Sequence, residues 1–395
     1  MALESISVNE ARKLIVKKQR LPPSFRGKGK EEVVEVVRSI AGVQYDPLPV
    51  IMQAQYLTLW NRVKNFRPEF LDELLYKERK LIEFVSIRQA LHIVPVDELP
   101  YYYQAVQRVF RRGWIQRSIN KQSMEELQEI VKVIREKGTV SIKDFPYTKL
   151  RALFYMGKIA IAKREVGMFQ MPHYSLLNTL HPQINLEEVE EDEAARWLVL
   201  RTVSAFGISP SSHIAYWIGY KVKETENILR ELEEEGEVRR VKIEGLRKTQ
   251  WIRSKDLERI GSIKREEFIS LLTPMDNLTR DRKWLEELFG YTFKIEYFQK
   301  KGMRWQVSVL MNYEFLGFIN PKMDRKNKTF IIKEVNITRK IEEDKWEKIL
   351  KRIEEFAKFH KAEKIKVTDK RNRDVIKTLE KLGYESVNNY LIYKL

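Results

Sequence analysis

Residues 78–96 read ERKLIEFVSIRQALHIVPV, a stretch that alternates and ends in β-branched residues. That pattern predicts a hairpin, and the hairpin decides what the segments before it form. SVNEARKLIVKKQR (7–20) opens on a Ser N-cap signal with apolar residues at helical spacing. A loop marked by Pro and Gly, LPPSFRGKGK, leads to a second helical pattern, EEVVEVVRSIAG (31–42). PLPVIMQAQYLTLWNRV (47–63) has Ile51, Gln55, Leu59 and Arg62 on one side and prolines in its first turn, which predicts a third helix. Three short helices followed by a hairpin give the outline of a winged helix.

That outline recurs. Residues 123–137 (SMEELQEIVKVIREK) and 147–159 (YTKLRALFYMGKI) predict helices, and AIAKREVGMFQMPHY predicts a β-wing turning at Gly167. Residues 191–253 repeat the plan with helices over 191–207, 209–219 and 221–236 and two strands turning at Gly245. From about residue 266 the character changes. FKIEYFQ, RWQVSVLMN, FLGFIN and TFIIKEVNI predict a small antiparallel sheet or barrel, covered by the amphipathic helix EEDKWEKILKRIEEFAKFHK. The expected fold class is α+β, with tandem winged-helix domains (three) at 1–120, 121–185 and 186–260 and a β-rich C-terminal domain at 261–395.

The 395 residues carry 73 Lys plus Arg against 56 Asp plus Glu, a formal charge of +17. An excess of that size favours a polyanionic partner, nucleic acid first and an anionic membrane surface second. No apolar run reaches 18 residues and the N-terminus lacks the apolar core of a signal peptide, so a cytoplasmic, nucleoid-associated protein is expected. With no Cys there is no disulfide, no thiolate catalysis and no Cys-based metal site. The five His (His92, His173, His181, His213, His360) show no i, i+4 metal spacing, so neither metal nor cofactor is expected. GKGKEE (27–32) lacks the spacing and the Ser/Thr of a phosphate loop.

GVQYD (42–46) with the LTLWNRV helix resembles the N-terminal module of the AlkZ/YcaQ-like DNA glycosylases. RQALHIVPVDELP, LRALFYMGKI, LTPMDNLTRDRKWLEELFGYTFKIEYF and LGFINPKMDRK are similar to further segments of that family, in order, over most of residues 7–335. The resemblance implies winged helices on a β-rich C-terminal domain and excision of N7-alkylated purines, including crosslinked ones, from double-stranded DNA by a monofunctional enzyme. The family's catalytic triplet is Gln, a hydrophobic residue, then Gln or Asp. Gln44, Tyr45 and Asp46 match the form typical of the YcaQ-like crosslink glycosylases. Gln53 and Gln55 stand where those members usually carry Arg and His, and EFVSIRQALHIV is closer to the AlkZ-like branch.

An N7-alkylated guanine is cationic and leaves readily, so a carboxylate that activates water and faces the developing oxocarbenium ion is the main requirement. Asp46 suits that role and Gln44 could hold the same water. Read blandly, Asp46 begins a turn before Pro47 and Gln44 caps a helix. Candidate DNA contacts are Arg88 and His92 on the hairpin, Arg108, Arg111 and Arg112 beside Phe110 and Trp114, and Lys163 and Arg164 on the second wing. Each has an ordinary alternative as a solvated or structural residue. Asp276 and Asp281 fit a salt-bridge network better than a metal site. Two functions stay open, a DNA glycosylase acting as a monomer and a non-catalytic winged-helix transcription regulator. A regulator usually dimerises, and no long heptad run is present.

Overall fold

In the computed structural model the chain opens with strand β1 (Glu4–Ile6) and helix α1 (Val8–Lys18). The structure describes residues 3–395 except Pro47, Pro49 and residues 166–169, 294–304, 338–340, 370–372 and 388–389. The turn at Gly167 and the strand FKIEYFQ beyond Phe293 lie outside the described residues. Ser7 caps α1 reciprocally: its hydroxyl accepts from the Glu10 amide at 3.2 Å, and the Ser7 amide donates to the Glu10 carboxylate at 3.0 Å.

Helix α2 (Lys30–Ser39), strand β2 (Val43–Gln44), helices α3 (Ala54–Trp60) and α4 (Pro68–Tyr76) and strands β3 (Leu81–Val85) and β4 (Leu91–Pro95) follow. Ala41 and Gly42, at φ 59° and 89°, end α2. The Gly42 amide donates back to the Val37 carbonyl at 2.9 Å. A Cβ on Gly42 would stand 3.3 Å from the Ile93 carbonyl, so glycine lets α2 end hard against β4. The helix expected over 47–63 shrinks to α3. Asp46 takes the Leu48 amide at 3.0 Å in a turn, and helical geometry begins only after Gln53 (φ −60°, ψ 138°). Helix α4 was not foreseen, although Pro68 starts it and Leu71, Leu74 and Leu75 bury one face.

Beyond α5 (Leu99–Arg112) and α6 (Trp114–Ile119) comes a second unit of α7 (Met124–Lys137), α8 (Tyr147–Tyr155), β5 (Ile159–Arg164), β6 (Pro172–Leu176) and α9 (Leu177–Leu180). A third unit has α10 (Glu191–Phe206), β7 (Ile208–Ser209), α11 (Ser211–Ile218), α12 (Val222–Glu234), β8 (Val238–Ile243), β9 (Thr249–Arg253) and α13 (Ser254–Leu257). Its order of helix, strand, helix, helix and hairpin repeats that of α2 to β4. Strand β1 pairs in parallel with β8, Ser5 facing Lys242, so the first residues join this third unit and not the unit that follows them. Ile6, Leu14 and Ile15 lie in one core with Val241 and Ile252.

The rest of the chain is β10 (Ile269–Leu272), α14 (Arg282–Phe289), β11 (Val307–Met311), β12 (Glu314–Asp324), β13 (Thr329–Ile337), α15 (Glu343–Phe359), β14 (Lys364–Val367), α16 (Arg373–Lys381), β15 (Glu385–Val387) and β16 (Tyr390–Lys394). These strands form an open sheet in the order β10-β11-β12-β13-β14-β16-β15. Among the described residues it is neither purely antiparallel nor a barrel. Strand β14 runs parallel to β13 because α15 crosses over between them, burying Trp346, Ile349, Ile353 and Phe356.

Four apolar cores form among the described residues, and the short segment after α2 touches three of them: Ala41 enters one, Val43 and Tyr45 a second, Ile51 a third. The segment carrying Gln44 and Asp46 is therefore held from several sides. That is what positions the site.

Candidate active site

Strand β2 places Gln44 directly opposite His92 of β4, so the two side chains share one face of the β2–β4–β3 sheet. The Tyr45 amide then donates to the Leu91 carbonyl at 2.9 Å, which carries the pairing one residue past Gln44. Asp46 is only 7% exposed. Its Oδ1 accepts the Leu48 amide at 3.0 Å, and its own amide donates to Oε1 of Gln55 at 3.1 Å. The second carboxylate oxygen, Oδ2, is buried without a hydrogen-bond partner, as are Gln44 Oε1 and Gln55 Nε2.

A buried polar atom left unpaired costs roughly 1–3 kcal/mol. Unpaired atoms of this kind are ones that a small polar molecule, such as water, could satisfy. Burial raises the Asp46 pKa above the ordinary aspartate range, and the Leu48 amide opposes that shift by stabilising the charge. A carboxylate so placed is a stronger proton acceptor than one in water.

The aromatic residue between the two polar ones is clamped. Tyr45 is buried, its hydroxyl donates to Gln170 Oε1 at 2.8 Å, and the Arg164 guanidinium stands 4.1 Å from its ring centroid. Arg164 in turn grips Glu83 of β3 through Nε at 2.9 Å and Nη2 at 2.5 Å. Tyr76 donates to the same carboxylate at 2.5 Å. Arg164 thus faces inward, with a side chain only 8% exposed, and not outward to a phosphate. Its neighbour Lys163 is exposed on β5.

His92 has no exposed surface. Its ring can only donate to the Ala90 carbonyl, 2.9 Å from Nδ1, so Nε2 accepts from Nη1 of Arg280 at 2.8 Å. Burial, and then the charges of Arg280 and Arg88, hold its pKa well below the usual histidine value, which keeps the ring neutral. This departs from the expected DNA contact: His92 is enclosed. Arg88, by contrast, is exposed at the hairpin tip, 3.8 Å from the Tyr216 ring centroid in α11.

The strip Arg108, Arg111 and Arg112 is likewise engaged within the protein. Arg108 bonds Glu191 at 2.9 Å and Glu224 at 3.2 Å and pairs with Asp192. Arg111 reaches Glu191 at 2.6 Å and Arg112 reaches Glu224 at 3.1 Å. Those carboxylates come from residues 80 or more positions downstream, a distance no local pattern reveals.

Side chains outside the triplet complete the frame. Asn277 donates to the Ile40 carbonyl at 2.7 Å and the Gly42 carbonyl at 3.0 Å, so it fixes the chain just ahead of Gln44. Arg62 and Asp276, both fully buried, form a two-bond pair at 2.7 and 2.9 Å that ties α3 to the same segment. Asp281 bonds His213 at 2.6 Å and caps α14. Asp276 and Asp281 thus serve in separate side-chain pairs. Among the described residues no group of three or more His, Asp or Glu side chains could hold a metal ion. The signal that could have found Asn277 and Arg280 was LTPMDNLTRDRK itself, polar residues packed tightly into a stretch that must be buried.

A family model described as DNA glycosylase AlkZ-like matches residues 37–359. The solved structure of Streptomyces sahachiroi DNA glycosylase AlkZ superposes with a TM-score of 0.66, covering 91% of this chain and 98% of that one at 13% sequence identity. At that identity the structural match is a likeness of fold. No helix among the described residues is long and apolar enough to cross a membrane.

Proposed function

The chain belongs to the AlkZ-like DNA glycosylase family and is a DNA glycosylase, and from that premise we propose that it hydrolyses the N-glycosidic bond of N7-alkylated purines in double-stranded DNA, with Asp46 as general base. One observation carries the reading: Oδ2 of Asp46 is buried and unpartnered, while the Gln55 amide is bonded to the Asp46 backbone and the Gln44 Oε1, two residues before it, is also buried and unpartnered. Water held there gives a proton to Asp46 as its oxygen bonds to the sugar C1′. The C1′–N9 pair goes to the base, whose positive charge it neutralises, so the leaving purine needs no acid. The Asp46 carboxylate also faces the oxocarbenium character that develops on the sugar. Gln44 orients the water. No nucleophilic amine is invoked, which fits a monofunctional enzyme.

We read α2 to β4 and α10 to β9 as winged helices, with α7 to β6 as a third and more compact one. The hairpin of the second unit is tied to that of the first by the Arg164–Glu83 pair, and a monomer wrapped on one lesion is the assembly we favour. Unhooking of crosslinked purines belongs to the same proposal, because the leaving-group chemistry is unchanged when the N7 substituent is large. The test is release of N7-methylguanine from duplex DNA, run beside a crosslinked duplex. Release of the modified base from both supports the full reading. Release from neither, with other damaged bases excised, overturns the lesion assignment.

A further inference from the structure

A basin of about 470 Å³ lies between α11 and the start of α14, lined by Ser212, His213, Tyr216, Lys248, Arg280 and Arg282 among others. Its charges are unequally engaged. Lys248 is paired with Glu287 at 2.7 Å, and Asp281 is held by His213 at 2.6 Å. Arg280, Arg282 and Lys283 have no carboxylate partner among the described residues, and Arg88 lies on the Tyr216 wall. His213 is itself buried and its Nε2 is unpartnered.

Arg280 is the telling residue. It is largely enclosed, its guanidinium standing 5.0 Å from the Trp217 ring centroid, and among the described residues its side chain bonds only the neutral His92. Burial, then the nearby charge of Arg88, pulls its pKa down to about 10. A sheltered cation pressed by a second cation is unfavourable in the free protein, and an arriving anion relieves it. The amides at the start of α14 do not supply that anion site, because Asp281 already caps Lys283 and Trp284.

We propose that this basin seats backbone phosphates of the DNA strand that runs on from the lesion, with Arg280, Arg282 and Lys283 as the donors and Arg88 at its wall. The choice of DNA over a small free anion follows from continuity. Arg280 bonds His92, which stands opposite Gln44, so a strand held in the basin is led toward the candidate active site. The proposal rests on the chain being a DNA glycosylase and not on the role of Asp46. It also reassigns the main phosphate contact away from Arg108, Arg111 and Arg112, whose charges are met by Glu191, Asp192 and Glu224.

The experiment is binding of the full chain to an undamaged duplex over a salt series, with folding followed by thermal unfolding. Arg282→Gln with Lys283→Gln changes two exposed side chains and should leave the fold intact. It should weaken binding to every sequence alike and flatten the log–log salt slope by about 1–2, one unit per lost phosphate contact. Arg280→Gln should do the same, and Arg280→Lys should restore part of the slope because the charge returns. Arg111→Gln with Arg112→Gln should flatten it less. An unchanged slope in the Arg282/Lys283 variant, or a larger change in the Arg111/Arg112 variant, overturns the proposal. Because the readout is binding to undamaged DNA, an error in the role of Asp46 would appear only in excision and could not mimic either result.

Discussion

The guanidinium of Arg164 stands 4.1 Å from the centroid of the Tyr45 ring while bonding both oxygens of Glu83. One arginine from the hairpin of the second unit thus pins the residue between Gln44 and Asp46 to the hairpin of the first. A slip of the second unit would be felt directly at the candidate base.

Arg164→Met should show how much depends on that grip. It leaves Glu83, whose side chain is 1% exposed, charged and facing only the Tyr76 hydroxyl. Removing one partner of a buried pair costs about 3–5 kcal/mol. Denaturant unfolding should show a loss of that order, with much of it recovered in the double variant Arg164→Met, Glu83→Gln. A loss below about 1 kcal/mol would mean that Glu83 is not held as a buried charge.

Asp46 should cost stability at neutral pH. Its folded pKa is raised, so the fold favours the protonated form. That contribution is fully present below the unfolded pKa and is lost as pH rises through the folded pKa. Asp46→Asn keeps a neutral group and an acceptor for the Leu48 amide. Its melting temperature should therefore exceed the wild type's at pH 7, by on the order of 1–2 °C. The gain should fade as pH drops to the ordinary aspartate range, and a gain equal at all pH values would point away from ionisation.

Asn277→Leu should act at a distance. It strips donors from two carbonyls, Ile40 and Gly42, that sit immediately before the triplet. The expected destabilisation is about 2–4 kcal/mol. Excision per folded molecule should fall as well, because Gln44 loses its anchor. Full activity in the folded fraction would show that β4 alone fixes β2.

How far the sequence revealed this arrangement can be judged residue by residue. The Ser7 cap and the hairpin at 78–96 were legible because each depends on neighbours within a few positions. Helix α4 was missed, since PEFLDELLY reads as the tail of a longer loop until its leucines are counted at helical spacing. The partner of β1 lies more than two hundred residues away, and parallel pairing leaves no local mark. At the site, Gln44 and Asp46 were found through resemblance to a family triplet. The ion pairing of Arg108, Arg111 and Arg112 was illegible for one physical reason: a basic strip looks free until the carboxylates that fold against it are known.

Arg88→Gly should separate fold from function at the hairpin tip. Arg88 and Gln89 hold φ of 52° and 56°, a conformation glycine adopts without penalty. The variant should be as stable as the wild type or slightly more so by thermal unfolding, yet bind and excise more weakly because the exposed cation is gone. Undiminished excision of a bulky adduct would return Arg88 to a turn-forming role.

The most direct measurement is single-turnover excision of N7-methylguanine by Asp46→Asn, with melting temperature and DNA affinity recorded on the same preparation. The substitution keeps shape and the Leu48 contact and removes the base. The rate should fall by roughly 10²-fold or more, with binding unchanged or slightly tighter and the fold intact. Gln44→Ala should lose less, because it orients water without accepting the proton. Wild-type excision by a stable, DNA-binding Asp46→Asn protein would contradict the central claim and leave Asp46 as the residue that turns the chain after β2.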